Sequence, residues 1–237
     1  MRTRWIAAVT AAGLLVGGLT AVAGAGGGDG GVDPADFMDP LPNDYFPLVP
    51  GTIYRYRGEE NDERFRERVV VTDRTREVAG VTTTVIVDVL KVDGLLVERT
   101  KDWYAAANDG TVWYFGEDTA EYDETGGVIS TEGSWEAGVD GAEAGIMMPA
   151  VPVPTVAYRQ EYYKGHAEDQ GWVVERNAQV TVPYGHLEKT VRTLEWSRLE
   201  PRVVAVKFYA PGLGLVFERV LSGGAERLEL VQVTSPA

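Results

Sequence analysis

Thr82-Thr83-Thr84-Val85-Ile86-Val87-Asp88-Val89-Leu90-Lys91-Val92-Asp93-Gly94-Leu95-Leu96-Val97-Glu98-Arg99-Thr100-Lys101-Asp102-Trp103-Tyr104-Ala105-Ala106 decides the fold. Two runs rich in β-branched and aromatic residues flank an Asp-Gly dipeptide, the chemistry of a type I′ turn in a two-residue hairpin. Asp109-Gly110 repeats the signal and joins the second run to Thr111–Glu117. Downstream, Lys164-Gly165, Pro211-Gly212 and Gly223-Gly224 punctuate further runs, and no long window keeps a helical period. With strands also at Ile53–Arg57, Phe65–Thr72, Val173–Val182 and Val191–Trp196, the chain reads as all-β. The expectation is a single antiparallel meander of about ten or eleven strands curled into a half-barrel or open barrel, because a wide open sheet would leave one face uncovered.

Upstream of the strands the composition changes twice. Residues 1–25 have the form of a secretory signal peptide: Arg2 and Arg4, an apolar run from Trp5 to Val22, and the small-x-small site Ala23-Gly24-Ala25. Gly13, Gly17 and Gly18 weaken the run as a retained anchor, so no stable membrane span is expected after cleavage. Residues 26–44 read as a Gly/Pro-rich flexible linker, and residues 45–237 as a single β domain. The chain has no cysteine, so its own core must hold the fold. The expected location is secreted or cell envelope, and the expected state is a monomer.

Lys and Arg number 22 against 36 Asp and Glu, a net charge of −14. Phosphate binding needs a basic stripe and none is present, so no nucleic-acid partner is expected. The acidic excess suits solubility, repulsion from anionic polymers, or binding of a divalent cation. No Gly-x-Ser-x-Gly elbow accompanies the two histidines, His166 and His186, and Gly212-Leu213-Gly214 leads into a strand instead of a phosphate-binding helix.

Three stretches punctuate the domain: Tyr45-Phe46-Pro47-Leu48-Val49-Pro50-Gly51-Thr52, Val182-Pro183-Tyr184-Gly185-His186-Leu187 and Tyr209-Ala210-Pro211-Gly212-Leu213-Gly214-Leu215-Val216. In these the chain resembles uncharacterised secreted bacterial β-rich proteins, for which a half-barrel similar to the periplasmic lipoprotein carriers is expected. The resemblance covers roughly Tyr45 to Val233. It implies a fold and carries no catalytic residues with it.

Strand alternation then proposes sites. A two-residue turn at Lys164-Gly165 sets Tyr163 opposite His166, Glu161 opposite Glu168 and Arg159 opposite Gln170, all on one face. Opposed glutamates need compensation, either from Arg159 or from a cation held by Glu161, His166 and Glu168, a mixed nitrogen and oxygen set suited to zinc or manganese. No cofactor is otherwise implied. A two-residue turn at Asp109-Gly110 likewise sets Ala106 opposite Trp113, Tyr104 opposite Phe115 and Asp102 opposite Glu117, an aromatic row ending in paired carboxylates. The acids of Glu117, Asp118, Glu121, Asp123 and Glu124 lack the spacing of a calcium loop and read more simply as a solvated turn. Gly145–Pro152, with Met147 and Met148, reads as an apolar plug or lid over the concavity.

The functional expectation is a non-catalytic protein that binds a small-molecule or lipid-like ligand on its concave face. Tyr104, Trp113 and Phe115 would pack the ligand; Arg159, Glu161, Tyr163 and His166 would orient it. Two alternatives stand beside it. One is a glycan-directed hydrolase with Asp102 and Glu117 as acid and base, two carboxyls about 5–10 Å apart. The other is a structural or partner-binding envelope protein that offers a free strand edge.

Overall fold

Turns that tolerate positive φ set the architecture. In the computed structural model, which describes residues 31–236, Asp93 and Gly94 adopt φ of 50° and 86°, and Val92 pairs with Leu95 across a two-residue turn. Asn61-Asp62 and Ala79-Gly80 turn in the same way, with Glu60 opposite Glu63 and Val78 opposite Val81. The expected signal segment, residues 1–25, lies outside the described residues.

Fifteen strands are present among the described residues, more than the ten or eleven expected. They are β1 (Ile53–Glu60), β2 (Glu63–Val78), β3 (Val81–Val92), β4 (Leu95–Ala106), β5 (Val112–Tyr122), β6 (Val128–Ser130), β7 (Trp135–Glu136) and β8 (Glu143–Met148). After these come β9 (Ala157–Arg159), β10 (Glu161–Tyr162), β11 (Asp169–Val182), β12 (Gly185–Ser197), β13 (Val204–Ala210), β14 (Gly214–Ser222) and β15 (Arg227–Thr234). The additional strands are mostly short pieces between residues 128 and 162, too brief to show a period of two. One of them corrects the lid expectation: Glu143–Met148 is a strand of the wall, with Met147 and Met148 buried.

All neighbours pair antiparallel in the order β10-β8-β5-β4-β3-β2-β1-β15-β14-β13-β12-β11-β9. The two ends of this path are consecutive in the chain. Ala157–Arg159 pairs with β11 while Glu161–Tyr162, one residue further on, pairs with β8. A single bent segment therefore joins the two margins of the sheet, and the half-barrel that was expected is a nearly closed barrel. Where the margins meet, at Gln170–Trp172 and at Glu143–Ala144, closure pairs edges that a wide sheet would otherwise leave open. Gly145 makes the join feasible, since a β-carbon there would stand 2.2 Å from the Gln160 carbonyl oxygen.

Packing begins well before the expected domain start at Tyr45. A 3-10 turn, Pro34–Phe37, is capped by Asp33, whose Oδ1 accepts from Ala35 N at 2.9 Å. This N-terminal stretch is tied to the β4–β5 loop, where Asn108 N donates to Asp36 O and Leu41 N to Ala107 O. Its Phe37 ring packs edge-on against Trp113 and Phe115, with centroids 6.4 and 5.5 Å away. The barrel thus has two apolar layers, one lining the interior and one between the outer wall and the N-terminal stretch.

The next stretch crosses the end of the barrel. Asn43 Nδ2 donates to Gly110 O at 2.8 Å and Pro149 O at 3.2 Å, and Gly212 N donates to Asp44 O at 2.7 Å. Asn43 Oδ1 accepts from Tyr45 N and Phe46 N, fixing the turn that aims Phe46 at Tyr104, 5.0 Å between centroids. The strap over the interior is therefore the Tyr45–Thr52 landmark and not the methionine segment.

Candidate functional site

Alternation should fill a barrel interior with apolar side chains, and here it repeatedly inserts a charge. Inward rows read Phe65-x-Glu67-x-Val69-x-Val71 on β2, Ile86-x-Asp88-x-Leu90 on β3, Ala205-x-Lys207-x-Tyr209 on β13 and Val216-x-Glu218-x-Val220 on β14. Glu67, Lys207 and Glu218 are buried at 8%, 4% and 1% exposure. Residues of these rows line a cavity of about 120 Å³. Phe46, Pro47, Leu213 and Leu215 line it near the strap, Tyr54, Tyr56, Tyr104 and Tyr209 add aromatic walls, and Glu67, Asp88, Asp102, Lys207 and Glu218 supply its charge.

Asp102 and Glu117 lie directly opposite each other across β4 and β5, as expected, and both are buried. The path to that pairing differs from the two-residue turn. Ala107 N donates to Thr111 O and Gly110 N to Ala107 O, so the loop holds three residues and Ala105, not Ala106, opposes Trp113. The register then shifts between Asp102 and Tyr104, beside Gly116 at φ 127°, which restores the Asp102–Glu117 pair. Between these two irregularities the faces are inverted. Tyr104 pairs with Tyr114, stacked at 4.6 Å inside, whereas Trp113 and Phe115 point outward beneath Phe37. The expected concave row of Tyr104, Trp113 and Phe115 is corrected accordingly: only Tyr104 of the three lines the cavity.

The second expected constellation is dispersed for a related reason. Tyr163 pairs with Ala167 around a three-residue loop, and Glu161 turns away to pair with β8. Glu161 is fully buried, its Oε2 accepting from Trp135 Nε1 at 3.0 Å. Glu168 instead accepts from Gly165 N and lies 3.8 Å from Arg198. Arg159 pairs with Glu143 at 2.6 Å, and His166 stacks on Tyr163 at 4.4 Å on the exposed loop. Glu161, His166 and Glu168 therefore do not converge. Among the described residues, no three side chains of the metal-ligating types are placed to hold an ion.

Burial dominates the electrostatics of the interior. Desolvation raises the carboxyl pKa of Glu67 and Asp102 to about 7, against a hydrogen bond from the Tyr114 hydroxyl to Asp102 Oδ1 at 2.8 Å that works the other way. Glu218 is likewise raised to about 7 and Asp169 to about 6, by burial first and with relief from Lys207. Asp88, Glu117 and Glu161 are pushed well above the carboxylate range by burial and then by neighbouring carboxylates: Glu67, Asp102 and Asp169 respectively. Asp88 and Glu67 act on each other directly, Asp88 working to lower Glu67 and Glu67 to raise Asp88. Burial alone would discharge Lys207, but Glu195 at 3.1 Å and Glu218 at 3.5 Å outweigh it and hold the ammonium above its ordinary pKa. Glu195 is completed by the Tyr209 hydroxyl at 2.9 Å and Thr193 at 2.8 Å.

The residues that sequence reasoning missed are Glu67, Asp88, Lys207 and Glu218 with Tyr54, Tyr56 and Tyr209 around them. Their signal was available as a lone charge in an apolar alternating row. A basic patch was missed in the same way. Arg55 opposes Arg68 and Arg57 opposes Arg66 on the outer face of β1 and β2, with Lys91 and Arg99 beside them on β3 and β4.

Neither a protein-family model nor a curated protein matches the sequence. Two solved structures are similar. One is a candidate exported protein with a YmcC-like fold from Bacteroides fragilis, at 11% identity and a TM-score of 0.46, covering 83% of this chain and 99% of that one. The other is a candidate lipoprotein from Parabacteroides distasonis, at 11% identity and a TM-score of 0.44, covering 82% of this chain and all of that one.

Proposed function

We propose that this is an exported protein of the cell envelope or beyond that holds a small or lipid-like ligand inside its barrel, as a monomer and without transforming it. The observation that carries the reading is the cavity of about 120 Å³, apolar beside the strap and charged within. A buried water needs about 10–15 Å³ of such space, so the cavity takes on the order of ten water-sized groups. That suits a small molecule, or one end of a longer one. Tyr104 remains a packing residue of the site, joined by Tyr54, Tyr56 and Tyr209. The secretory form of residues 1–25 supports export.

Of the alternatives, the hydrolase keeps its paired Asp102 and Glu117, but Glu117 is not among the residues lining the cavity. A glycan would need access to both carboxyls. The Ala157–Tyr162 segment covers only Gln170–Trp172 at one sheet margin and Glu143–Ala144 at the other, so the strand-addition reading keeps the remainder of β11 as its edge.

Native mass spectrometry of the chain purified without detergent tests the proposal. A bound small-molecule mass is expected, lost when Leu215→Trp fills the cavity and retained in Trp113→Ala on the outer wall. A bare chain, unchanged by incubation with an envelope extract, would overturn it.

A further inference from the structure

The interior holds more acidic than basic side chains, in a way that selects among ligands. Four carboxyl side chains, Glu67, Asp88, Asp102 and Glu218, share the cavity wall with one base, Lys207. Lys207 is already engaged by Glu195 and Glu218. Even so, Glu218 Oε1 and Asp88 Oδ1 are buried with no hydrogen-bond partner, and Glu218 is only 1% exposed. Native proteins rarely leave buried acceptors unmet, since each costs about 1–3 kcal/mol. Lys207 also shows what the cage accepts: an ammonium, held between carboxylates and beside the Tyr209 hydroxyl that donates to Glu195.

The rest of the wall suits the same chemistry. Tyr54, Tyr56, Tyr104 and Tyr209 present aromatic rings to the cavity, and aromatic faces attract cations by about 0.5–2 kcal/mol, more when desolvated. Small anions meet carboxyl oxygens and an ammonium already engaged by Glu195 and Glu218. A bare metal ion meets no convergent set of three ligands among the described residues. An organic cation spreads its charge over a larger volume and carries its own N–H donors, so it needs no such convergence.

Resting on the ligand-binding reading above, we propose that the cavity is a site for a small organic ammonium, its nitrogen among Glu67, Asp88, Asp102 and the open oxygen of Glu218, and its apolar part toward Phe46, Leu213 and Leu215. The size of the cavity favours an amine of about ten non-hydrogen atoms or fewer.

Calorimetry of the full chain at pH 8.5, where Glu67, Asp102 and Glu218 are ionised and the amine is still an ammonium, with n-hexylamine, n-hexanol and n-hexanoate tests this, because the three probes match in length and differ in charge. The amine is expected to bind at least tenfold more tightly than the alcohol, with hexanoate weakest. Asp102→Asn and Glu67→Gln, each checked for a cooperative melting transition above the assay temperature, should weaken the amine at least fivefold and the alcohol less than twofold. Equal binding of amine and alcohol, or preference for hexanoate, would overturn the cation proposal while leaving the ligand-binding reading standing. Binding of none of the three, with no copurifying mass, would remove both.

Discussion

Asp102 stands directly opposite Glu117 across β4 and β5, inside the barrel, with the Tyr114 hydroxyl on Asp102 and Glu117 Oε1 unpartnered. Two acids so placed cannot both ionise cheaply, and they are the centre of a wider acidic interior that couples folding to protons.

Stability should fall as pH rises through neutrality. Glu67, Asp102 and Glu218 have folded pKa values raised to about 7 and Asp169 to about 6, so between about pH 4 and 7 the native state binds more protons than the unfolded chain. Their stabilising contribution is complete below the unfolded carboxyl pKa of about 4 and is lost as pH passes the folded values. A net change of about 2–3 kcal/mol would lower the melting temperature by roughly 5–10 °C between pH 5.5 and pH 8.5. Thermal melts across that range check the slope. The Asp102→Asn, Glu117→Gln double variant should flatten it, and a wild-type melting temperature that rises with pH would contradict the assignment.

Lys207 is the one cation of the cavity wall, and removing it strands Glu195 and Glu218. Lys207→Met is expected to destabilise the protein by about 3–5 kcal/mol at pH 8, the usual cost of breaking a buried ion pair from one side. At pH 5, where protonated Glu218 needs no counter-charge, the loss should be smaller. Urea denaturation at the two pH values measures the difference, and adding Glu218→Gln to Lys207→Met should recover part of the loss at pH 8.

Barrel closure depends on the absence of a side chain at Gly145. Any β-carbon there meets the Gln160 carbonyl at 2.2 Å and Glu161 N at 2.7 Å, both backbone atoms that cannot swing aside. Gly145→Val should therefore unpair β10 from β8 and cost at least about 1–3 kcal/mol. Hydrogen exchange should report it locally, with protection lost at Ala144 and Glu161 and kept in the β2–β3 hairpin.

Much of the fold was legible because hairpin chemistry is local. Asp93-Gly94 specifies its own turn, and Val85, Ile86 and Val87 declare a strand without reference to anything distant. The candidate site was less legible. The Asp102–Glu117 pair was found because the three-residue loop at Asn108–Gly110 and the irregularity beside Gly116 shift the register in opposite senses. Trp113 and Phe115, lying between them, were assigned to the wrong face for the same reason.

The sequence by itself determined the long strands, the position of most of the turns and the absence of any disulfide, since these follow from backbone preferences and composition within a few residues. Only the tertiary structure decided that the sheet's two margins meet at Gln160, that residues 43–50 strap the barrel, and that Glu67, Asp88, Asp102 and Glu218 surround one cavity with Lys207. Such relations depend on register summed around the whole sheet. A single bulge or an extra loop residue reverses which face a side chain takes, and the energy that selects one register comes from burial against residues a hundred positions away.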